Sequence, residues 1–159
     1  MEIRLLVKED INEMVKLYVK SWRVTYKGII PDKILDTITE EKFNKIWREY
    51  ITKEKNGIFG AFEDENFLGF GAFTPDEDME NVLYLDSLHI KDEYKGRGVG
   101  TTIISTLKRY AKQEGYIGIS VSVMSGNVKA RNLYVKLGAK HLKNYIGFET
   151  QCEKLYWEL

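Results

Sequence analysis

The stretch from Asp86 to Thr102, DSLHIKDEYKGRGVGTT, constrains the fold more than any other part of the chain. Just before it, Val82-Leu-Tyr-Leu85 is a continuous apolar run, the pattern of a strand covered on both faces. After it, Ile103, Ile104, Leu107, Tyr110 and Ala111 recur at helical spacing, which makes one face of a helix apolar. Between the two, Gly96, Gly98 and Gly100 clear side chains from the point where strand becomes helix. The first-turn N–H groups of such a helix lack intrahelical partners, and its dipole leaves that end partly positive. An anion, a phosphate above all, fits there.

Several readings share this turn. The glycines serve equally as plain turn residues. A Walker loop is excluded, because no Lys-Ser or Lys-Thr pair follows them. A dinucleotide site of the Rossmann kind stays open, although Gly-Arg-Gly-Val-Gly leaves one residue between the last two glycines. Its ribose-binding acid would have to be Glu114, at the far end of the same helix. The remaining reading is a pyrophosphate loop for coenzyme A. A second segment, Asn127-Val-Lys-Ala-Arg-Asn-Leu-Tyr-Val-Lys-Leu-Gly-Ala139, bears on that choice.

Together the two segments resemble the GNAT superfamily of acetyl-CoA-dependent N-acetyltransferases. Lys95-Gly-Arg-Gly-Val-Gly100 is similar to its Gln/Arg-x-x-Gly-x-Gly/Ala signature, with Lys95 where Gln or Arg is commoner. Asn127, Ala130, Tyr134 and Gly138 follow its Asn-x-x-Ala-x-x-x-Tyr-x-x-x-Gly pattern, with Ala139 where Phe often follows the glycine. The resemblance covers essentially the whole chain, as a single domain of residues 1–159.

Composition narrows the classes of partner. In 159 residues, Lys+Arg and Asp+Glu are equal at 24 each, so no net basic field favours nucleic acid. The lone Cys152 can form no intrachain disulfide and reads as a small core residue near a strand end. Two His, one Cys and no ligand spacing give no metal site. The N-terminus carries acids and no long apolar segment, so no membrane span and a cytoplasmic protein are expected.

Read in order, Ile3, Leu5 and Val7 alternate with their neighbours, predicting a strand over 2–7. Asp10 can cap a helix whose inner face is Ile11, Met14, Val15, Tyr18 and Trp22. Gly28 and Pro31 break that period, residues 32–36 add a turn, and Thr39 opens a helix carrying Phe43, Ile46, Trp47 and Tyr50. Residues 58–62 and 67–73 form a hairpin across an acidic turn. The acidic run from Pro75 to Glu80 reads as a second, solvated turn. Strand 82–90, helix 98–114, strand 117–123, helix 127–137 and strands 140–147 and 152–158 complete the chain. The order is βααβββαβαββ, an α/β mixed sheet with helices on both faces.

The resemblance adds a site to this frame. It implies that strands 82–90 and 117–123 splay apart at their C-terminal ends, with the pantetheine arm of acetyl-CoA in the gap. Leu88 and Ile90 then offer main-chain partners, His89 lies between them, and Lys95, Gly96, Arg97, Gly98, Val99, Gly100 and Thr101 hold the pyrophosphate, with Asn127 and Tyr134 across the gap. Tyr134 stands at the family's acid position, where a phenol protonates the leaving thiolate; packing on its helix face is the other reading. Asp86 is the candidate base, or else a buried carboxylate serving nearby backbone. His89 is expected to point to the opposite face from Asp86, and His141 to be structural or exposed.

Trp22 and Tyr26, at i and i+4 on one helix face, can wall a cationic amine. The implied acceptor is a primary amine of a small molecule or peptide, and a homodimer is a family-based expectation. A non-catalytic acyl-CoA-sensing module is one alternative, and a nucleotide-dependent oxidoreductase is another.

Overall fold

Seven strands form one mixed sheet in the order β1-β2-β3-β4-β5-β7-β6 in the computed structural model, which describes residues 1–159. The strands are β1 Glu2–Leu5, β2 Gly57–Glu63, β3 Asn66–Pro75, β4 Val82–Ile90, β5 Gly118–Met124, β6 Lys140–Gly147 and β7 Thr150–Glu158. The helices are α1 Ile11–Thr25, α2 Asp32–Leu35, α3 Glu40–Tyr50, α4 Val99–Gln113 and α5 Val128–Lys136. This is the expected order, with the four-residue α2 as the added turn. No helix is long and apolar enough to cross a membrane.

The sheet separates two cores, each driven by burial of apolar side chains. On one face α1 and α3 bury Ile11, Met14, Tyr18 and Trp47 against Ile58, Phe67 and Phe70. On the other, α4 buries Ile103, Ile104 and Leu107 against Phe73, Leu83, Leu85 and Ile119. Gly71 of β3 makes this close approach possible: a Cβ there would sit 2.7 Å from Ile103 of α4.

Three local expectations change. The first strand stops at Leu5, and it is Leu6, not Leu5 or Val7, that turns inward; Leu5 and Val7 are about half exposed. Asp10 makes no side-chain cap on α1, because its carboxylate takes Arg4 at 2.9 and 3.0 Å and the Val7 N–H at 2.8 Å. Thr39 does cap α3, accepting from the Lys42 N–H. The acidic loop after Pro75 is only partly solvated. Asp76 turns in and pairs with Lys154 at 2.7 Å and with the Ser120 hydroxyl, while both charged side chains are more than nine-tenths buried. Lys154 and Ser120 hold the Asp76 carboxyl below the usual carboxylate range despite its burial. An isolated buried ammonium is costly, so Asp76→Asn is expected to destabilise the protein by about 3 kcal/mol in a denaturant titration. Because the Asp76 pKa is depressed, its contribution is present above the unfolded-state value and is lost as pH falls through the folded-state value.

Candidate active site

The site begins where the sheet opens. β4 and β5 pair in parallel only from Val82 opposite Gly118 to Leu85 opposite Val121. Beyond that point β4 runs on to Ile90 and β5 to Met124 without pairing to each other. Leu88, His89 and Ile90 therefore have β3 on one side and no strand on the other. A cleft of about 1150 Å³ passes through this gap, from the N-terminus of α4 to the aromatic face of α1 and α3.

A β-bulge decides which side chains enter the cleft. Ala72 lies opposite Ser87 and Phe73 opposite Leu85, so Asp86 is the extra residue on β4. A bulge reverses the alternation beyond it. Leu83 and Leu85 face the α4 core before the bulge, and Leu88 and Ile90 do so after it. His89 consequently lies on the same face as Asp86. This corrects the simple period-two expectation that would separate them. The His89 ring packs edge-on to Tyr18 at 5.6 Å and tilted against Phe70 at 5.5 Å. Burial pushes its imidazole down to about 4, so it is neutral at physiological pH.

Asp86 is the single carboxylate among the residues that line the cleft. Water reaches it through the open mouth, so its surface is exposed, yet protein crowds it on the other sides. That crowding raises its pKa above the usual range, a nearby Tyr50 phenol opposes the shift, and the exposed Glu77 adds to it. The Tyr50 hydroxyl is buried and makes no geometrically sound hydrogen bond of its own. Tyr18 and Tyr84 also feel the Asp86 charge, and burial raises both phenols.

At the other end, Gly98 precedes α4 with φ +80° and Gly96 has φ +76°. Both positions favour glycine, and a Cβ at either would meet nothing but open space. The first helical hydrogen bond of α4 runs from the Thr102 N–H to Gly98 O, so the N–H groups of Val99, Gly100 and Thr101 are left to a guest. No acid occupies the first turn to neutralise that end. Lys95 lines the cleft beside this loop and pairs with Asp92 at 2.8 Å, and Lys129 and Lys136 of α5 line the cleft as well. Arg97 does not line the cleft; its guanidinium lies over the Tyr94 ring at 5.7 Å.

α5 closes the opposite wall. The Asn127 side chain caps it by accepting from the Ala130 N–H at 3.3 Å. Glu153 of β7 receives Arg131 at 2.6 and 3.2 Å and meets His141 at 2.7 Å, so His141 is structural. Thus fixed, α5 holds Tyr134 with its ring edge-on to Trp157 at 5.7 Å and its side chain at the cleft. The Tyr134 hydroxyl is not among the sealed, unpaired polar atoms, and burial raises its pKa well above that of a free phenol. It therefore stays protonated at neutral pH.

Trp22 and Tyr26 also line the cleft, with ring centres 4.8 Å apart. Burial raises the Tyr26 phenol above its ordinary pKa, and the Asn127 side chain nearby opposes that shift. Cys152 is buried, lines the cleft and has its thiol pushed up by burial, a poor state for a nucleophile. Sequence reasoning missed Tyr18, Tyr50, Tyr84 and Phe148. Helical spacing puts the first two in the core, and nothing in the sequence distinguishes a core-facing ring from one at the edge of a gap. No cluster of three His, Cys, Asp or Glu residues is placed to hold a metal.

Comparison with known proteins gives the same picture. The model of the acetyltransferase (GNAT) family matches residues 11–139. A spermidine N(1)-acetyltransferase of Thermoplasma acidophilum is 27% identical over 160 residues, covering 98% of this chain and 97% of that protein. Among solved structures, the PaiA N-acetyltransferase of Thermoplasma acidophilum in complex with coenzyme A superposes with a TM-score of 0.82 at 23% identity, over 99% of this chain and 98% of that one. A ribosomal-protein-alanine N-acetyltransferase from Brucella melitensis also reaches 0.82, at 16% identity over the full length of both chains.

Proposed function

This chain belongs to the GNAT family of acetyltransferases and moves an acetyl group from acetyl-CoA to an amine, and from that premise we propose which of its residues do the work. The supporting observation is the opening of β4 from β5 beyond Leu85 and Val121, with an unneutralised helix N-terminus at one end and a lone carboxylate at the other. The free backbone edge at Leu88, His89 and Ile90 takes the amide-bearing arm of the cofactor. The N–H groups from Gly96 to Thr101, with Lys95, take its pyrophosphate. The loop fits that group because the space over Gly96 and Gly98 is open and no acid stands in the first turn of α4. When bound, acetyl-CoA supplies the activated acyl group.

Asp86 accepts the proton of the incoming ammonium. Burial makes it a better base than a free aspartate, and its surroundings are otherwise aromatic. Tyr134 gives its phenolic proton to the departing sulfur from the opposite wall. Trp22 and Tyr26 line the path between them. The acceptor is a primary amine of a small molecule.

Release of free thiol from acetyl-CoA, followed with and without amines, tests the assignment. Thiol should appear only when an amine is present, with one acetylated amine formed per thiol. Thiol release that ignores the amine would remove the acceptor role from this cleft. A second expectation concerns the loop. Gly98→Asp places an anion in the pyrophosphate position and should weaken acetyl-CoA by more than about tenfold in a calorimetric titration, from charge conflict at a helix N-terminus. The fold should survive, since the added atoms meet open space and Asp tolerates a left-handed backbone.

A further inference from the structure

We infer that the acceptor is an amine bearing one positive charge on a flat apolar body, of the arylalkylamine class, and not a polyamine. The inference rests on the acetyl-transfer reading above and concerns only which amine the cleft takes. Two independent observations carry it. The first is an unbroken aromatic wall leading away from Asp86. Tyr50 lies 4.7 Å from Trp47, Trp47 5.3 Å from Tyr18, Tyr18 5.8 Å from Trp22, and Trp22 5.2 Å from Phe148, centre to centre. All five rings line the cleft; Tyr18, Trp22 and Trp47 are otherwise buried and show it only a small part of their surface, Tyr50 is partly exposed, and Phe148, at the β6–β7 turn, is half exposed at its rim. Ring spacings of this kind suit a further ring laid against the wall.

The second observation is the charge census. A polyamine brings two or more ammonium groups, but Asp86 is the only carboxylate lining the cleft. Other acids at its edges are already engaged or lie outside. Asp76 pairs with Lys154 at 2.7 Å, Glu149 with Lys33 at 3.2 Å, and Glu77, whose charge is felt at Asp86, is exposed on the loop beyond β3 and does not line the cleft. A second ammonium would lie against rings with no further carboxylate lining the cleft, while Lys95, Lys129 and Lys136, which also line it, repel it. Cation–π contact offsets only part of the loss of hydration for each extra charge. A single ammonium on Asp86 with an aromatic body on the Tyr18–Trp22 wall meets neither penalty.

The test uses the full chain saturated with coenzyme A, titrated calorimetrically with phenethylamine, propylamine and spermidine, alongside turnover of acetyl-CoA with each. Phenethylamine should bind at least about tenfold more tightly than either of the others, from ring contacts alone. Its kcat/KM should lead by a similar factor. Phe148→Ala, at an exposed position where the fold is not at risk, should reduce that advantage about threefold. Spermidine binding as tightly as phenethylamine, or phenethylamine binding no better than propylamine, would overturn the inference. Selective binding of phenethylamine without acetylation of any amine would instead uphold this pocket and remove the catalytic roles proposed for Asp86 and Tyr134.

Discussion

Tyr134→Phe is expected to lower kcat by about 10²–10⁴, the usual span for a general acid, while acetyl-CoA affinity stays within about twofold of the parent. The reasoning is geometric. The substitution keeps the ring that packs edge-on against Trp157 and removes only the hydroxyl at the cleft. The phenol is buried enough to remain protonated across the working range, so it has a proton to give and no tendency to lose it to water. α5 keeps its anchors, Asn127 at its start and the Arg131–Glu153 pair along its length, so the phenylalanine should occupy the same position. Single-turnover acetylation, which isolates the chemical step, is the deciding measurement. A parent-like rate would make Tyr134 a packing residue.

Asp86→Asn is expected to be as damaging, about 10²–10⁴ in kcat at neutral pH. Its signature is in the pH profile. As the proposed base, Asp86 has to be ionised, so kcat should rise as pH increases through the Asp86 pKa. Burial places that limb above the ordinary carboxylate range. The asparagine variant should lose the limb, leaving a low, flat profile. Stability moves in the other sense. A carboxyl whose folded-state pKa is raised contributes fully below the unfolded-state value and loses that contribution as pH rises through the folded-state value. The ionised Asp86 is therefore a burden on the fold at neutral pH, and Asp86→Asn should be at least as stable as the parent in a denaturant titration. Reduced activity together with reduced stability would indicate that Asp86 only supports the backbone. Such a cost is expected where a charge is kept for function.

Much of this molecule was legible from residue order. The glycines from 96 to 100, between an apolar run and a helical apolar stripe, read as a strand-to-helix junction. The structure has that junction, with positive φ at Gly96 and Gly98. The helix expected over 127–137 is present as α5, and the structure adds that Asn127 caps it. These features depend on neighbours a few residues apart, so periodicity, caps and backbone restriction express them directly. Asp76 was different. Its burial requires Ser120 and Lys154, each on a strand that follows by more than forty residues, and an acidic run gives no sign of which acid turns inward.

The sequence by itself determined the element order, the two cores and the anion-ready start of α4, because apolar periodicity and glycine placement act locally. Only the tertiary structure decided what stands around the reacting groups. The bulge at Asp86 exists because β3 and β4 pair out of step, a relation between two strands and not a property of either. It turns His89 to the face of Asp86. It also sets the carboxylate among rings from α1, α3 and β4, with the wall continuing to the β6–β7 turn, elements spread over most of the chain. A composition with equal numbers of acids and bases cannot disclose that a single carboxylate faces the cleft. That selection is made by strand register and helix packing, which bring together side chains the sequence keeps apart.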